Sequence, residues 1–225
     1  RWCDLLAASG LVDEAIAAAA ADDLRLPTPA LPRASTALSA CSPELLAPSD
    51  RKATPSTPGA VVVHPGAAFG AKRWPVERFA AVAAALAGDG HRVVVTGGRE
   101  EAALTAQIAA VSGGLDLAGR TSIGELLALV AGARLVIAGD TGIAHVATAF
   151  GVPSVTLFGP VGPEQWGPPP DRRHVVLTDA AVRRGDRFAD EPDPALLAVG
   201  TSDVLACARD LLREDHDGSG GWTGT

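Results

Sequence analysis

Apolar and polar residues follow one another in blocks of two kinds along the chain. Short apolar runs, such as VVV at 61–63 and again at 93–95, are typical of strands that are buried on both faces. Longer blocks rich in Ala and Leu are typical of helices. The pattern predicts strands at 60–64, 91–98, 115–119, 134–140, 153–160 and 174–178, and helices at 1–22, 76–88, 100–113, 121–133, 141–150 and 202–212.

The alternation of these strands and helices predicts an α/β fold class. Parallel strands need a long crossover connection, which is usually a helix. We therefore expect a Rossmann-like parallel sheet with helices on both faces. Ligands of such sheets bind beyond the carboxyl ends of the strands, where the strand order reverses. The residues that follow each strand are thus the candidates for chemistry.

Local signals mark some element ends and one connector. Pro75 and Gly88 bound the helix at 76–88, and Ser122 with Glu125 has the spacing of a capping box. Prolines recur between 27 and 58, which excludes a long helix and favours an extended connector. They are Pro27, Pro29, Pro32, Pro43, Pro48, Pro55 and Pro58.

Composition narrows the class of protein. The net charge of −7 argues against a nucleic-acid scaffold. Cys3, Cys41 and Cys207 are widely spaced, and we expect free thiols in a reducing cytoplasm. The first residue is Arg and the chain has no Met, so we expect a piece of a longer protein.

The segment GDTGIAH at 139–145 joins a buried strand to a helix through polar residues. Asp140 can cap the helix, and Thr141 and Gly142 present backbone N–H groups at its positive end. His145 lies one turn further on the same face. These groups predict an anion site. The alternative is a capped, buried helix with one satisfied histidine.

The segment HPGAAFGAKRWP at 64–75 follows another strand. Gly66 and Gly70 make a flexible loop, and Lys72 and Arg73 supply cations suited to phosphate. The segment is neither a P-loop nor GxGxxG. The alternative is a solvated helix entry. We interpret His64 as structural, and Trp74 as a packing residue.

Two further positions are candidates for contact with a nucleoside. Glu100 follows the strand at 91–98, where a carboxylate can accept from ribose hydroxyls. Its alternative is an ordinary acid in the first turn of a helix. Thr121 and its neighbours lie where a base can rest against the backbone.

Three segments together resemble the C-terminal half of glycosyltransferase family 9, which contains the ADP-heptose:lipopolysaccharide heptosyltransferases. They are HPGAAFGAKRWP, VVVTGG, and LAGRTSIGELLALVAGARLVIAGDTGIAHVATAFGVPSVTLFGP, within residues 58–180. The resemblance implies a GT-B architecture with the N-terminal domain mostly missing. It implies an acceptor-domain remnant at 1–26, a connector at 27–58, a nucleotide-sugar domain at 59–215 and a flexible tail at 216–225.

The resemblance also assigns roles to residues. It implies that Lys72, Asp140, Thr141, Gly142 and His145 surround the donor's diphosphate and sugar. The segment 64–75, here called the donor loop, adds Gly66, Ala67 and Arg73, while Glu100 meets the ribose and Thr121 the base. The catalytic base is expected in the missing N-terminal segment, and neither a metal nor a cofactor is implied.

We therefore expect an inverting, metal-independent glycosyltransferase that moves heptose or a related sugar from a nucleoside-diphosphate sugar, with ADP favoured, to a glycan or glycolipid. The alternatives are an epimerase, a nicotinamide dehydrogenase and a non-catalytic nucleotide-binding module. We expect no nucleic-acid partner, and a cytoplasmic protein that meets the inner face of the membrane through the missing domain. This chain alone should transfer no sugar.

Overall fold

A six-stranded parallel sheet runs through residues 59–217, the part of the chain that the computed structural model describes. The strand order is β3-β2-β1-β4-β5-β6, and every pairing is parallel. The strands are β1 Val61–His64, β2 Val93–Val95, β3 Leu115–Asp116, β4 Leu135–Gly139, β5 Ser154–Leu157 and β6 His174–Leu177.

Seven α-helices accompany the strands within these residues. They are α1 Val76–Gly88, α2 Ala102–Ser112, α3 Ile123–Ala131, α4 Gly142–Ala149, α5 Pro163–Trp166, α6 Pro194–Leu197 and α7 Thr201–Asp217. Short 3₁₀ turns lie at Gly70–Lys72, Arg99–Glu101 and Ala180–Val182. The predicted α/β class with a parallel sheet is confirmed.

The sheet separates two apolar cores because successive side chains of a strand point to opposite faces. Val61 and Val63 of β1 face a core shared with α1, α2 and α7. Val62, between them, faces the core shared with α3 and α4. All three valines are fully buried, and each such burial contributes roughly 1.5–3 kcal/mol.

Several predicted element ends differ from the structure. The strands predicted at 91–98 and 115–119 are shorter, since Gly98 donates its N–H to the Glu101 carboxylate (2.7 Å) and Gly119 has a φ of +62°. The helix predicted from residue 100 begins as a 3₁₀ turn. The closing helix is longer than predicted and extends to Asp217.

Other local predictions are confirmed. α1 occupies 76–88 as predicted, and Ser122 and Glu125 form the capping box, with Ser122 N–H donating to Glu125 Oε2 at 2.8 Å. Trp74 is a packing residue, since it is 3% exposed and its indole N–H donates to the Val199 carbonyl. The predictions for 1–58 and 218–225 lie outside the described residues.

The strand order determines where along the sheet a ligand can bind. The chain leaves β1 toward β2 and β3 on one side, and later returns to place β4 on the other side of β1. The connections after β1 and β4 therefore diverge and leave a crevice at the carboxyl ends of these strands. Both polar segments singled out in the sequence, 64–75 and 139–145, begin at this crevice.

Candidate functional site

The loop after β1 lies directly on the carboxyl ends of β4 and β5. A methyl group at Gly139 would lie 3.2 Å from the Lys72 carbonyl oxygen, and one at Gly159 would lie 3.1 Å from that of Ala71. Glycine at these two strand ends lets the 3₁₀ turn Gly70–Lys72 approach closely. This approach brings the Lys72 side chain to the start of α4.

Lys72 and Asp140 form an ion pair at the crevice. Lys72 Nζ donates to Asp140 Oδ2 at 2.6 Å, and the Asp140 side chain is 7% exposed. The prediction that Asp140 caps α4 is wrong, because the N-cap is Thr141 and no side chain makes a capping bond there. The carboxylate is directed across the crevice to the lysine instead.

The start of α4 supplies backbone donors beside this pair. Thr141 is extended (φ −144°), and its hydroxyl donates to the Gly139 carbonyl at 3.3 Å. Gly142 is the first helical residue and carries no side chain that would keep a ligand away. The first N–H groups of a helix have no partner within the helix and lie at its positive end. The arrangement can therefore bind an anion.

His145 lies within the electrostatic reach of the ion pair. Burial lowers the pKa of His145, Asp140 raises it and Lys72 lowers it further. Burial is the largest of these effects because desolvation disfavours the charged imidazolium. The ring is therefore neutral near neutral pH, and a neutral imidazole can still donate one N–H bond.

The remaining donor-loop candidates hold the loop in shape. The Arg73 guanidinium donates through Nε and Nη2 to the Ala67 carbonyl, at 2.9 and 2.8 Å. Ala67 itself is buried. Gly66 lies against the Glu101 carboxylate, since a methyl group at Gly66 would fall 1.9 Å from Glu101 Oε1. Arg73 is thus engaged by its own loop rather than directed outward.

The sequence analysis does not predict the buried polar cluster that lies under this loop. Glu101 is 8% exposed, and the His64 ring bonds through Nδ1 to Thr96 Oγ1 at 3.0 Å. Burial lowers the pKa of His64, and the Glu101 charge acts in the opposite direction. The available signal is the position of Glu101 three residues after Gly98, where a carboxylate can accept from the backbone N–H that precedes a helical turn.

The two nucleoside candidates lie on the other side of β1. Glu100 is exposed and follows β2, and Thr121 follows β3. The loops that carry them touch, since Gly119 N–H donates to the Gly97 carbonyl at 2.9 Å. The site residues therefore form two groups, one at β1 and β4 and one at β2 and β3.

Three findings concern the described residues alone. Their His, Cys, Asp and Glu side chains form no group of three that could hold a metal ion. None of their helices has both the length and the apolar character needed to cross a membrane. Cys207 is a free thiol, as predicted. Cys3 and Cys41 lie outside the described range.

Curated relatives of this chain are heptosyltransferases. Lipopolysaccharide heptosyltransferase 2 of Salmonella typhimurium is 31% identical over 161 residues, which are 67% of this chain and 46% of that protein. The Escherichia coli K12 enzyme of the same name is 33% identical over 164 residues, covering 68% and 46%. The chain thus spans about half the length of these relatives.

Solved structures share the fold. E. coli ADP-heptose lipopolysaccharide heptosyltransferase II superimposes with a TM-score of 0.66 at 24% identity, covering 85% of this chain and 55% of that one. A family 9 glycosyltransferase of Veillonella parvula has a TM-score of 0.58 at 28% identity, covering 69% and 46%. These matches confirm the predicted Rossmann-like fold of the GT-B type.

The family model described as glycosyltransferase family 9 (heptosyltransferase) matches residues 12–187, which is most of the chain. The match extends beyond residues 58–180, which contain the three segments that resemble the family. It agrees with the curated relatives and with the shared fold. This chain belongs to glycosyltransferase family 9.

Proposed function

We propose that this chain is the donor-binding part of an inverting, metal-independent glycosyltransferase. Its donor is an ADP-sugar that carries heptose or a related sugar, and its acceptor is a glycan or glycolipid. The observation that carries the proposal is the Lys72–Asp140 pair beside the start of α4, at the crevice between β1 and β4. The relative in Salmonella is named a lipopolysaccharide heptosyltransferase, and the E. coli structure an ADP-heptose enzyme.

The chemistry of sugar transfer accounts for the residues in this crevice. The donor's diphosphate gains negative charge as the bond to the sugar breaks, and fixed donors in a dry site stabilise that charge. Lys72, the N–H groups of Thr141 and Gly142, and the His145 ring supply such donors. Asp140 holds the lysine at the crevice and can accept from a sugar hydroxyl.

The remaining candidates serve the nucleoside and the loop. Glu100 accepts from the ribose hydroxyls, and the backbone around Thr121 contacts the base. Gly66, Ala67 and Arg73 keep the donor loop in shape. The acceptor hydroxyl needs a general base, which we place in the N-terminal domain of the whole protein. That domain also meets the acceptor at the cytoplasmic face of the membrane.

Nucleotide binding tests the proposal directly. We expect calorimetric titration of the 225-residue chain to show binding of ADP and ADP-glucose in preference to UDP-glucose and NADH. Lys72→Ala should weaken ADP binding at least tenfold, because a charge-assisted hydrogen bond contributes about 1.5–3 kcal/mol. Thr141→Val should weaken it less, because only a hydroxyl is lost.

Arg92→Ala is the matched control. Arg92 is an exposed cation at the amino end of β2, on the opposite edge of the sheet. Its removal should leave ADP affinity unchanged. A chain that binds no nucleotide sugar would contradict the proposed function, and a preference for NADH would favour a dehydrogenase.

A further inference from the structure

The segment 183–193, here called the arm, packs against the donor loop and forms hydrogen bonds with it next to Lys72. Ala71 donates its N–H to the Ala189 carbonyl at 2.8 Å, and its own carbonyl accepts from Asp193 N–H at 3.1 Å. Ala71 is fully buried between these bonds. Both backbone groups of the residue before Lys72 are therefore fixed by the arm.

The two residues before Ala71 add further contacts with the arm. Gly70 abuts the arm's backbone so closely that a methyl group there would fall 1.6 Å from the Asp190 carbonyl oxygen. Phe69 meets Phe188 edge to face, with ring centroids 5.0 Å apart. The arm thus contacts three consecutive residues of the loop.

Asp193 holds the arm together at its base. Its side chain is completely buried, and Oδ1 accepts from Ala195 N–H at 2.9 Å and from Arg184 N–H at 3.4 Å. Oδ2 accepts from Gly185 N–H at 3.1 Å. A buried carboxylate with three backbone donors ties the two ends of the arm to the start of α6, since removal of its oxygens would leave these N–H groups without a partner.

We propose that Asp193 is a positioning residue, which sets the place of Lys72 through the arm and Ala71. The carboxylate fixes the arm, the arm fixes the backbone on both sides of Ala71, and that backbone directs the next side chain to Asp140 and the crevice. The effect on nucleotide affinity rests on the function proposed above. The effect on Lys72 itself does not.

The chain offers a readout of Lys72 that needs no nucleotide. It contains two lysines, Lys52 and Lys72. In a chain labelled with ¹³C,¹⁵N-lysine, side-chain NMR spectra contain two lysine signals, and Lys72→Ala assigns them. We expect Asp193→Ala to move the Lys72 signal toward that of a solvated lysine, whereas Asp203→Ala should not. Asp203 is the matched control because it accepts from Gly200 N–H at the start of α7.

A double-mutant cycle on ADP affinity separates positioning from general damage. We expect Asp193→Ala to weaken ADP binding about tenfold, as loss of one charge-assisted bond would. In the Lys72→Ala background the same change should add less than about twofold, because residues that act through one contact are not additive. Equal losses in both backgrounds would overturn the proposal.

A variant on the loop side keeps the test decisive if Asp193→Ala fails to fold. Gly70→Ala should displace the arm, because the new methyl group overlaps the arm's backbone. It should therefore reproduce the shift of the Lys72 signal and the loss of ADP affinity expected for Asp193→Ala. Gly88→Ala, where nothing lies within 4 Å of the new methyl group, is its control. An unmoved Lys72 signal in Gly70→Ala would contradict the arm's role. Absence of ADP binding by the unsubstituted chain would contradict the proposed function alone.

Discussion

Asp140 illustrates how a single residue serves a role that its neighbours in sequence do not reveal. An acid just before a helix is a common N-cap, yet its carboxylate pairs with Lys72, 68 residues earlier. Asp193 differs from Asp140, because its neighbours in sequence do reveal part of its role. The Asp-Pro pair at the start of α6 is a recognisable helix start, and Asp193 does accept from Ala195 N–H, as a cap does. Its further bonds to the arm are tertiary.

His145 gives the residue scale a pH-dependent prediction. Burial holds the pKa of its imidazole below 6.5 in the free protein, and a bound diphosphate would raise it. Binding then takes up a proton, so affinity for ADP-glucose should rise as the pH falls from about 8 to about 6. Calorimetry across this range measures the slope.

Two variants decide whether His145 is the source of that slope. His145→Gln should flatten it, and His91→Gln, at the amino end of β2, should leave it unchanged. A slope that survives His145→Gln would contradict a contact between this ring and the diphosphate. The stability of the free protein depends on pH in the opposite direction. Because the pKa of His145 is lower in the folded than in the unfolded chain, the free energy of unfolding decreases as the pH falls below 6.5.

At the scale of elements, local signals place the starts of some helices better than the ends of strands. The start of α3 is fixed by Ser122 and Glu125, whose bonds join residues three apart. The end of β2 at Val95 has no comparable local signal, since Gly97 beyond it still accepts from Gly119 N–H after β3. Contacts within one helical turn are visible in sequence, whereas the point at which two neighbouring strands separate depends on segments far apart in the chain.

The cap of α3 provides the prediction at this scale. Ser122→Ala should lower the free energy of unfolding by about 1 kcal/mol, because the Glu125 N–H loses its acceptor. Urea denaturation followed by circular dichroism measures the change. Ser202→Ala, in the exposed first turn of α7, is the control and should change stability by less. Equal effects would contradict a specific capping role.

At the scale of the whole molecule, α7 covers one of the two apolar cores of the sheet that carries the crevice. Val204 and Leu212 pack in the core shared with α1 and β1. Arg78 Nη1 donates to the Val199 carbonyl at 2.7 Å, and Arg134 Nη2 donates to that of Leu212 at 3.0 Å. The last helix and the residues just before it thus pack against α1 and against strands that come much earlier in the chain.

This packing yields a prediction for the whole fold. Leu212 is 3% exposed, and Leu212→Ala should cost about 2–5 kcal/mol of unfolding free energy through lost burial and a cavity. Leu197→Ala is the matched control, because that side chain is 42% exposed and loses little burial. Urea denaturation compares the two. A loss in Leu212→Ala as small as that in Leu197→Ala would mean that α7 contributes little to the described core.

Much of this protein follows from the sequence by itself. Continuous apolar runs separated by helical blocks determine a parallel α/β sheet, and they place segments 64–75 and 139–145 at its carboxyl edge. These patterns are local, so they can be recognised in the sequence without knowledge of the fold. The capping box of α3 and the bounds of α1 are of the same kind.

The tertiary structure decides which of those residues meet. Lys72 contacts Asp140 because β4 pairs with β1, which places the loop after β1 beside the residues that follow β4. Glu101 lies under Gly66, and the arm grips Ala71, for the same reason: strand order brings distant loops together. No period or spacing in the chain encodes that order, since it arises from packing both faces of the sheet at once.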